Sequence, residues 1–195
     1  MKQTNKRTGA SEKLVTLAIL TALVIVLQSF SSVAARIGLF SFALGGLPVA
    51  IGAILYGNRA GVWLGAVFGA IVLATDATAF ALYGVNVFAT VAVVLLKSIA
   101  SGLAMSLTFK LCRAINRYVG VVVASIVGPV VNTGIFVAGV CIFFEDFFSG
   151  FVAEGVPFVI GLILMLLVNF FIEIAINVVF APVVYKIVGM KKKAN

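Results

Sequence analysis

Residues 86–110, NVFATVAVVLLKSIASGLAMSLTFK, decide the class of fold to which this chain belongs. The stretch is almost wholly apolar, and Lys97 is the single charge between its ends. A helix needs about 20 predominantly apolar residues to cross the hydrocarbon core of a bilayer. The stretch therefore predicts a transmembrane helix. Lys97 would lie near its middle, where a lysine costs about 2.5–3.5 kcal/mol on insertion scales.

The rest of the chain has the composition of an integral membrane protein. Of its 195 residues, 63% are hydrophobic and 10% are charged, whereas soluble domains have about 25% charged residues. We therefore predict one all-α transmembrane domain over residues 1–195. The chain has no histidine and no nucleotide-binding motif, and Cys112 and Cys141 are predicted to lie too far apart for a disulfide. These features favour neither an enzyme nor a metal or cofactor site.

Apolar runs predict a bundle of six membrane spans. Their approximate boundaries are residues 13–33, 39–57, 60–75, 86–110, 119–144 and 157–186. The break between the second and third runs falls within the tetrapeptide YGNR, residues 56–59, so the connection between them is very short. Five spans with a re-entrant hairpin at this point are the alternative.

The basic residues predict how the bundle is oriented. With six spans and a cytoplasmic N-terminus, twelve of the 14 lysines and arginines fall on cytoplasmic segments, as the positive-inside rule requires. The net charge of +8 is thus explained by the span ends, without nucleic-acid binding. We predict that both termini are cytoplasmic.

Polar residues recur inside the predicted spans. Asn169, Glu173 and Asn177 follow one another at four-residue intervals on the sixth span, so they share one helix face. Glu173 and Lys97 both lie near mid-membrane, where an unpaired charge is too costly to keep. The simplest prediction is an intramembrane ion pair between them. That pair could fix helix packing or line a ligand cavity, and a proton relay is a weaker third possibility.

Small residues and one amide mark three further helix surfaces. In GPVVNTGIF, residues 128–136, Asn132 offers a donor and an acceptor next to a proline that weakens the helix. Glycines at positions 61, 65 and 69 predict close packing of the third span. Ala18 and Ala22 form a similar step on the first span. The sequence alone favours packing of this step within the chain, although it could equally dock a second subunit.

Together these features resemble one family, the substrate-binding S components of energy-coupling factor (ECF) transporters. The resemblance covers nearly the whole chain: the small-residue step on the first span, the short second and third spans, KSIASGLAMSLTFKL, GPVVNTGIF, and NFFIEIAINVVFAPVVYKIV near the end. The pantothenate-type and generic riboflavin-type S components are the most similar. Each motif is degenerate, and their order and spacing carry the resemblance.

The resemblance implies a vitamin-uptake subunit in the cell membrane of a bacterium rather than an enzyme. An S component binds a vitamin from outside, docks on a transmembrane coupling subunit and topples in the bilayer to release the vitamin inside, while two cytoplasmic ATPase subunits hydrolyse ATP. Ala18 and Ala22 would then form the docking face. The residues expected to line the vitamin pocket are Arg36, Phe40, Tyr83, Asn86, Lys97, Asn132 and Asn169.

Pantothenate is the vitamin that the resemblance favours. Arg36 or Lys97 could hold its carboxylate, while Asn132 and Asn169 could bind its amide and hydroxyls. Riboflavin, cobalamin, folate and biotin remain alternatives within the same family. An ion-coupled secondary transporter and a structural membrane protein without a ligand are alternatives from other classes.

Overall fold

The computed structural model describes residues 2–36 and 44–193, and the side chains of residues 11–35 and 44–190. This part of the chain is built from helices and contains no strand. The helices are α1 (Lys2–Arg36), α2 (Gly46–Tyr56), α3 (Asn58–Thr75), α4 (Ala77–Tyr83), α5 (Val87–Cys112), α6 (Arg117–Phe143), α7 (Glu145–Ser149) and α8 (Phe158–Lys193).

Five of these helices, namely α1, α3, α5, α6 and α8, are long and apolar enough to cross a membrane. The prediction of an all-α, multi-pass membrane protein is therefore confirmed in its general form. The count of six spans is not confirmed, because α2 has 11 residues and a helix of that length rises only about 16 Å. The hydrocarbon core is about 30 Å thick. The second predicted span also includes residues 39–43, which lie outside the described part.

Close backbone packing joins α3 to α5. A methyl group added at Gly65 would lie 2.5 Å from the carbonyl oxygen of Ser98 and 3.0 Å from the Cα of Ile99. Gly61 faces Gly102 of α5 in the same way, and Gly69 packs on the Ser98 side chain. The predicted small-residue surface of the third span is thus confirmed, and α5 is its partner.

On its other side, α5 packs against α6, and α6 packs against α8. The hydroxyl of Ser101 donates a hydrogen bond to the carbonyl oxygen of Gly128 at 2.9 Å. Met105 fills the space beside Gly128, and the helix continues through Pro129 to Phe143. The Ser101–Gly128 hydrogen bond and the packing of Met105 therefore fix how α5 and α6 are aligned along their length.

The two longest helices, α1 and α8, complete the bundle. Helix α1 packs on α2 and α3, and α8 packs on α6 and α2. Much of α8 is exposed, including the apolar side chains of Leu164, Val168 and Phe171. Exposed apolar residues at this density suit a lipid environment better than water.

Candidate functional site

A cavity of about 260 Å³ lies between the helices toward the end of the bundle where α3 ends. Helices α3 to α8 contribute to its wall, and Gln28 adds a contact from α1. The polar residues in its lining are Gln28, Asp76, Thr78, Lys97, Asn132, Thr133, Asn169 and Glu173. Four phenylalanines and several aliphatic side chains form the remainder. Such a mixture of apolar surface and a few convergent polar groups is typical of small-molecule sites.

Lys97 lines this cavity from α5. Its ammonium nitrogen Nζ lies 4.5 Å from the centre of the Phe136 ring, a distance at which the ring face attracts a cation. Asp76 and Glu173 are the carboxylates whose charges act on Lys97. The cavity lining therefore combines one lysine with two carboxyl groups.

Lys97 and Glu173, which were predicted to form an ion pair, are not in direct contact. Both side chains line the cavity, but within the described part of the chain no hydrogen bond or ion pair joins them. Lys97 lies on α5 and Glu173 on α8, and α6 packs against both of these helices. The two side chains thus line the same cavity from different helices.

Two predicted amides also meet in this cavity. Asn132 on α6 is 8% exposed and Asn169 on α8 is more exposed, and both belong to the lining. Neither side-chain amide has a hydrogen-bond partner within the described residues. The buried amide of Asn132 costs free energy unless water or a ligand satisfies it, whereas the exposed amide of Asn169 can bind water. Both amides are therefore available to bind a polar ligand.

The structure does not bring Tyr83 and Asn86 into the cavity lining. The hydroxyl of Tyr83 donates to the carbonyl oxygen of Leu73 at 2.9 Å. The Asn86 side chain caps α5 by accepting a hydrogen bond from the backbone N–H of Ala89 at 3.0 Å. The Tyr83 hydroxyl and the Asn86 side-chain oxygen are thus both hydrogen-bonded to nearby backbone.

Two other residues of the predicted site cannot be compared with the cavity. Arg36 is the last residue of α1, and its side chain lies outside the described side chains. Phe40 lies outside the described residues altogether. Their predicted contacts with the vitamin stay predictions.

Gln28 and Asp76 belong to the cavity, although they are absent from the predicted site. Gln28 is 4% exposed, and its Oε1 has no hydrogen-bond partner. Asp76 caps α4 by accepting a hydrogen bond from the backbone N–H of Thr78 at 2.8 Å. Gln28 could have been noticed as a lone amide in the first apolar run. Asp76 could not, because an acidic residue in a predicted external loop has many ordinary roles.

The small-residue step on α1 lies on the outside of the bundle. Ala18 and Ala22 are exposed, whereas Leu20 and Val24 on another face of α1 are buried. Packing of the step against another helix of this chain, which the sequence alone favoured, is therefore wrong for the described structure. The exposed step is compatible with a second subunit.

One comparison with known proteins identifies the family. The family described as "ECF transporter, substrate-specific component" matches residues 12–185. No curated protein and no solved structure matches the chain. The match includes most of each of the five membrane-length helices and every described residue of the cavity lining. The chain therefore belongs to the family of substrate-specific components of ECF transporters.

Proposed function

We propose that this protein is the S component of an ECF vitamin importer and that the cavity around Lys97 is its substrate site. The convergence of Lys97, Asn132 and Asn169 on one cavity carries the proposal. These residues come from three helices, and the two amides lack partners within the described structure. They are thus free to exchange contacts with water for contacts with a ligand.

Pantothenate is the substrate that we propose. Its carboxylate would bind Lys97 by a charge-assisted hydrogen bond. Its amide would bind Asn132 and Asn169, which supply donors and acceptors. Its hydroxyls would donate to Asp76 and Glu173, whose carboxylates accept hydrogen bonds. The cavity's chemistry supports this assignment because it contains a cationic group, amides and acceptors within one enclosure.

Transport would require partners, since the chain has no nucleotide-binding motif. We propose that Ala18 and Ala22 dock on a transmembrane coupling subunit and that two cytoplasmic ATPase subunits drive the cycle. The protein would topple in the bilayer to release the vitamin inside, with both termini in the cytoplasm. The exposure of Ala18 and Ala22 supports this docking face.

Isothermal titration of the purified full chain tests the substrate. We expect pantothenate to bind, and riboflavin, biotin, folate and cobalamin to bind at least 100-fold more weakly or not at all. Saturable binding of another vitamin in place of pantothenate would overturn the pantothenate assignment. Binding of no vitamin, together with uptake that a protonophore abolishes while ATP is maintained, would overturn the S-component function itself.

A neutral analogue tests the role of Lys97. In pantothenol a hydroxymethyl group replaces the carboxylate. Lys97→Met should weaken pantothenate binding by roughly 10- to 150-fold, the equivalent of a hydrogen bond to a charged group worth about 1.5–3 kcal/mol. The same change should have little effect on the affinity for pantothenol. Equal losses for both ligands would show that Lys97 does not bind the carboxylate.

A further inference from the structure

A second cavity, of about 440 Å³, lies at the other end of α3, where α2 ends and α5 approaches its C-terminus. Its lining includes Lys13, Arg59, Lys110 and Arg113. No acidic residue belongs to this lining. The first cavity is lined by Asp76, next to the last residue of α3, whereas this one is lined by Asn58, the first residue of α3. The two cavities are therefore separate sites.

The positive charges around this second cavity are not balanced within the described part of the chain. Lys110 Nζ donates a hydrogen bond to Asn58 Oδ1 at 2.7 Å, a neutral acceptor. Lys13 Nζ lies 5.7 Å from the centre of the Tyr56 ring. Arg59 and Arg113 are exposed, and neither forms an ion pair or a side-chain hydrogen bond there. An anion entering this space would offset the repulsion among four cations.

The start of α3 adds backbone donors to the same cavity wall. Gly57 precedes the helix with a φ of 81°, and no side chain caps the helix start. The carbonyl oxygen of Gly57 accepts hydrogen bonds from the N–H groups of Ala60 and Gly61. The N–H groups of Asn58 and Arg59 come too early in the helix to have an intrahelical partner. A helix N-terminus with free N–H groups attracts anions, and phosphate in particular.

The side chain of Asn58, the first residue of α3, binds two residues of α5. Asn58 Oδ1 accepts hydrogen bonds from Lys110 Nζ and, at 2.9 Å, from the Ser106 hydroxyl. Ser106 is fully buried, so this contact holds Lys110 beside the start of α3. Lys110 Nζ would also lie only 3.7 Å from a methyl group added at Gly57. A lysine and a helix N-terminus are thus fixed side by side.

We propose that this second cavity binds the phosphate of an anionic phospholipid headgroup. Depth in the membrane favours a lipid over free phosphate as the source. Helix α3 has 18 residues, which span about 27 Å, close to the thickness of the hydrocarbon core. Its first residues therefore lie at the level of the headgroups. Basic pockets between transmembrane helices are suited to anionic headgroups, and arginine pairs with phosphate through two hydrogen bonds.

Native mass spectrometry of the full chain in detergent micelles tests the proposal. The probes are phosphatidylglycerol and phosphatidylcholine with the same acyl chains. We expect the wild-type protein to retain phosphatidylglycerol in preference to phosphatidylcholine. Each basic residue near an anionic surface contributes a factor of about five in affinity. Arg113→Gln should thus weaken phosphatidylglycerol binding about fivefold, and Arg59→Gln with Arg113→Gln roughly 30-fold.

Lys186→Gln is the matched control, because it removes one charge from an exposed residue of α8 outside the cavity lining. This control should bind phosphatidylglycerol within about twofold of the wild type. Because substrate binding uses the other cavity, all variants should keep the substrate affinity of the wild type, which reports that they are folded. The proposal is independent of which substrate the first cavity takes.

Four results would overturn the lipid site. The first is equal retention of the two lipids by the wild type. The second is a loss for Lys186→Gln as large as that for Arg113→Gln, since this would mean a diffuse surface charge. The third is displacement of the lipid by inorganic phosphate at the lipid's own concentration. The fourth is normal lipid binding by the double variant combined with failure to assemble with the coupling and ATPase subunits, which would make the cavity a protein interface.

Discussion

Replacing Gly65 by alanine should destabilise the bundle and disturb the cavity that Lys97 lines. The added methyl group would lie 2.5 Å from the Ser98 carbonyl oxygen and 3.0 Å from the Cα of Ile99. Both are backbone atoms, so no rotation of a side chain can relieve the contact. Helix α5 must move away from α3 instead, and overpacking of this kind costs about 1–3 kcal/mol.

Gly134→Ala is the control that isolates the free-energy cost of overpacking at Gly65. Gly134 lies inside α6 and has no atom within 4 Å of an added methyl group. Alanine is favoured over glycine in a helix interior by about 1 kcal/mol, and this gain applies to both variants. The difference between their free energies of unfolding therefore equals the overpacking cost at Gly65, about 1–3 kcal/mol.

Two measurements on purified protein test this reasoning. Unfolding by titration with a denaturing detergent should show Gly65→Ala to be less stable than Gly134→Ala by that amount. Substrate titration should show weaker binding for Gly65→Ala, because Lys97 directly precedes the displaced Ser98. Equal stability of the two variants would refute the close packing of α3 on α5. Lower stability with unchanged affinity would refute the mechanical link between Gly65 and the cavity.

Three further predictions concern the candidate site and the proposed docking face. Asn132→Ala should weaken substrate binding by about 5- to 12-fold in titration calorimetry, the equivalent of a hydrogen bond worth about 1–1.5 kcal/mol. Asn177→Ala, which removes a buried amide outside the cavity lining, should leave the affinity unchanged. Phe136→Leu should lower the substrate affinity by about two- to fivefold, since the ring that orients Lys97 at 4.5 Å is lost. Ala18→Trp with Ala22→Trp should abolish uptake in vesicles containing the whole transporter, while the isolated variant still binds substrate.

Each of these predictions has a result that contradicts it. An affinity loss for Asn177→Ala equal to that for Asn132→Ala would mean that the effect comes from helix packing rather than ligand contact. An unchanged affinity for Phe136→Leu would mean that Lys97 is positioned without the ring. Loss of substrate binding in the tryptophan variant would place Ala18 and Ala22 in the binding unit rather than at a docking face.

The helices could be predicted from the sequence because membrane insertion depends on local composition. The run around Lys97 is apolar over its full length and forms one helix, Val87–Cys112. The runs that become α6 and α8 behave in the same way. The exception is the second run, predicted over residues 39–57, where the described helix begins only at Gly46 and ends at Tyr56. Pro48 lies in the first turn of this helix, where proline is tolerated because the N–H groups there have no intrahelical partner.

The candidate site was predictable only in part. Lys97, Asn132, Asn169 and Glu173 attract attention because polar groups are costly inside a membrane, and all four line one cavity. Tyr83 and Asn86 share the same chemistry, but hydrogen bonds to nearby backbone engage them. A sequence shows which side chains can bind a ligand, and it does not show which of them the surrounding backbone has already occupied.

The sequence by itself determined that this chain is an all-helical membrane protein, because hydrophobicity acts residue by residue along the chain. It also determined which residues are polar in that setting. Only the tertiary structure decided how those residues are arranged, because arrangement depends on which helices are neighbours. Helix α6 packs against both α5 and α8, so Lys97 on α5, Asn132 on α6 and Glu173 on α8 line one cavity. That shared cavity, rather than any single residue, is the candidate site for a ligand.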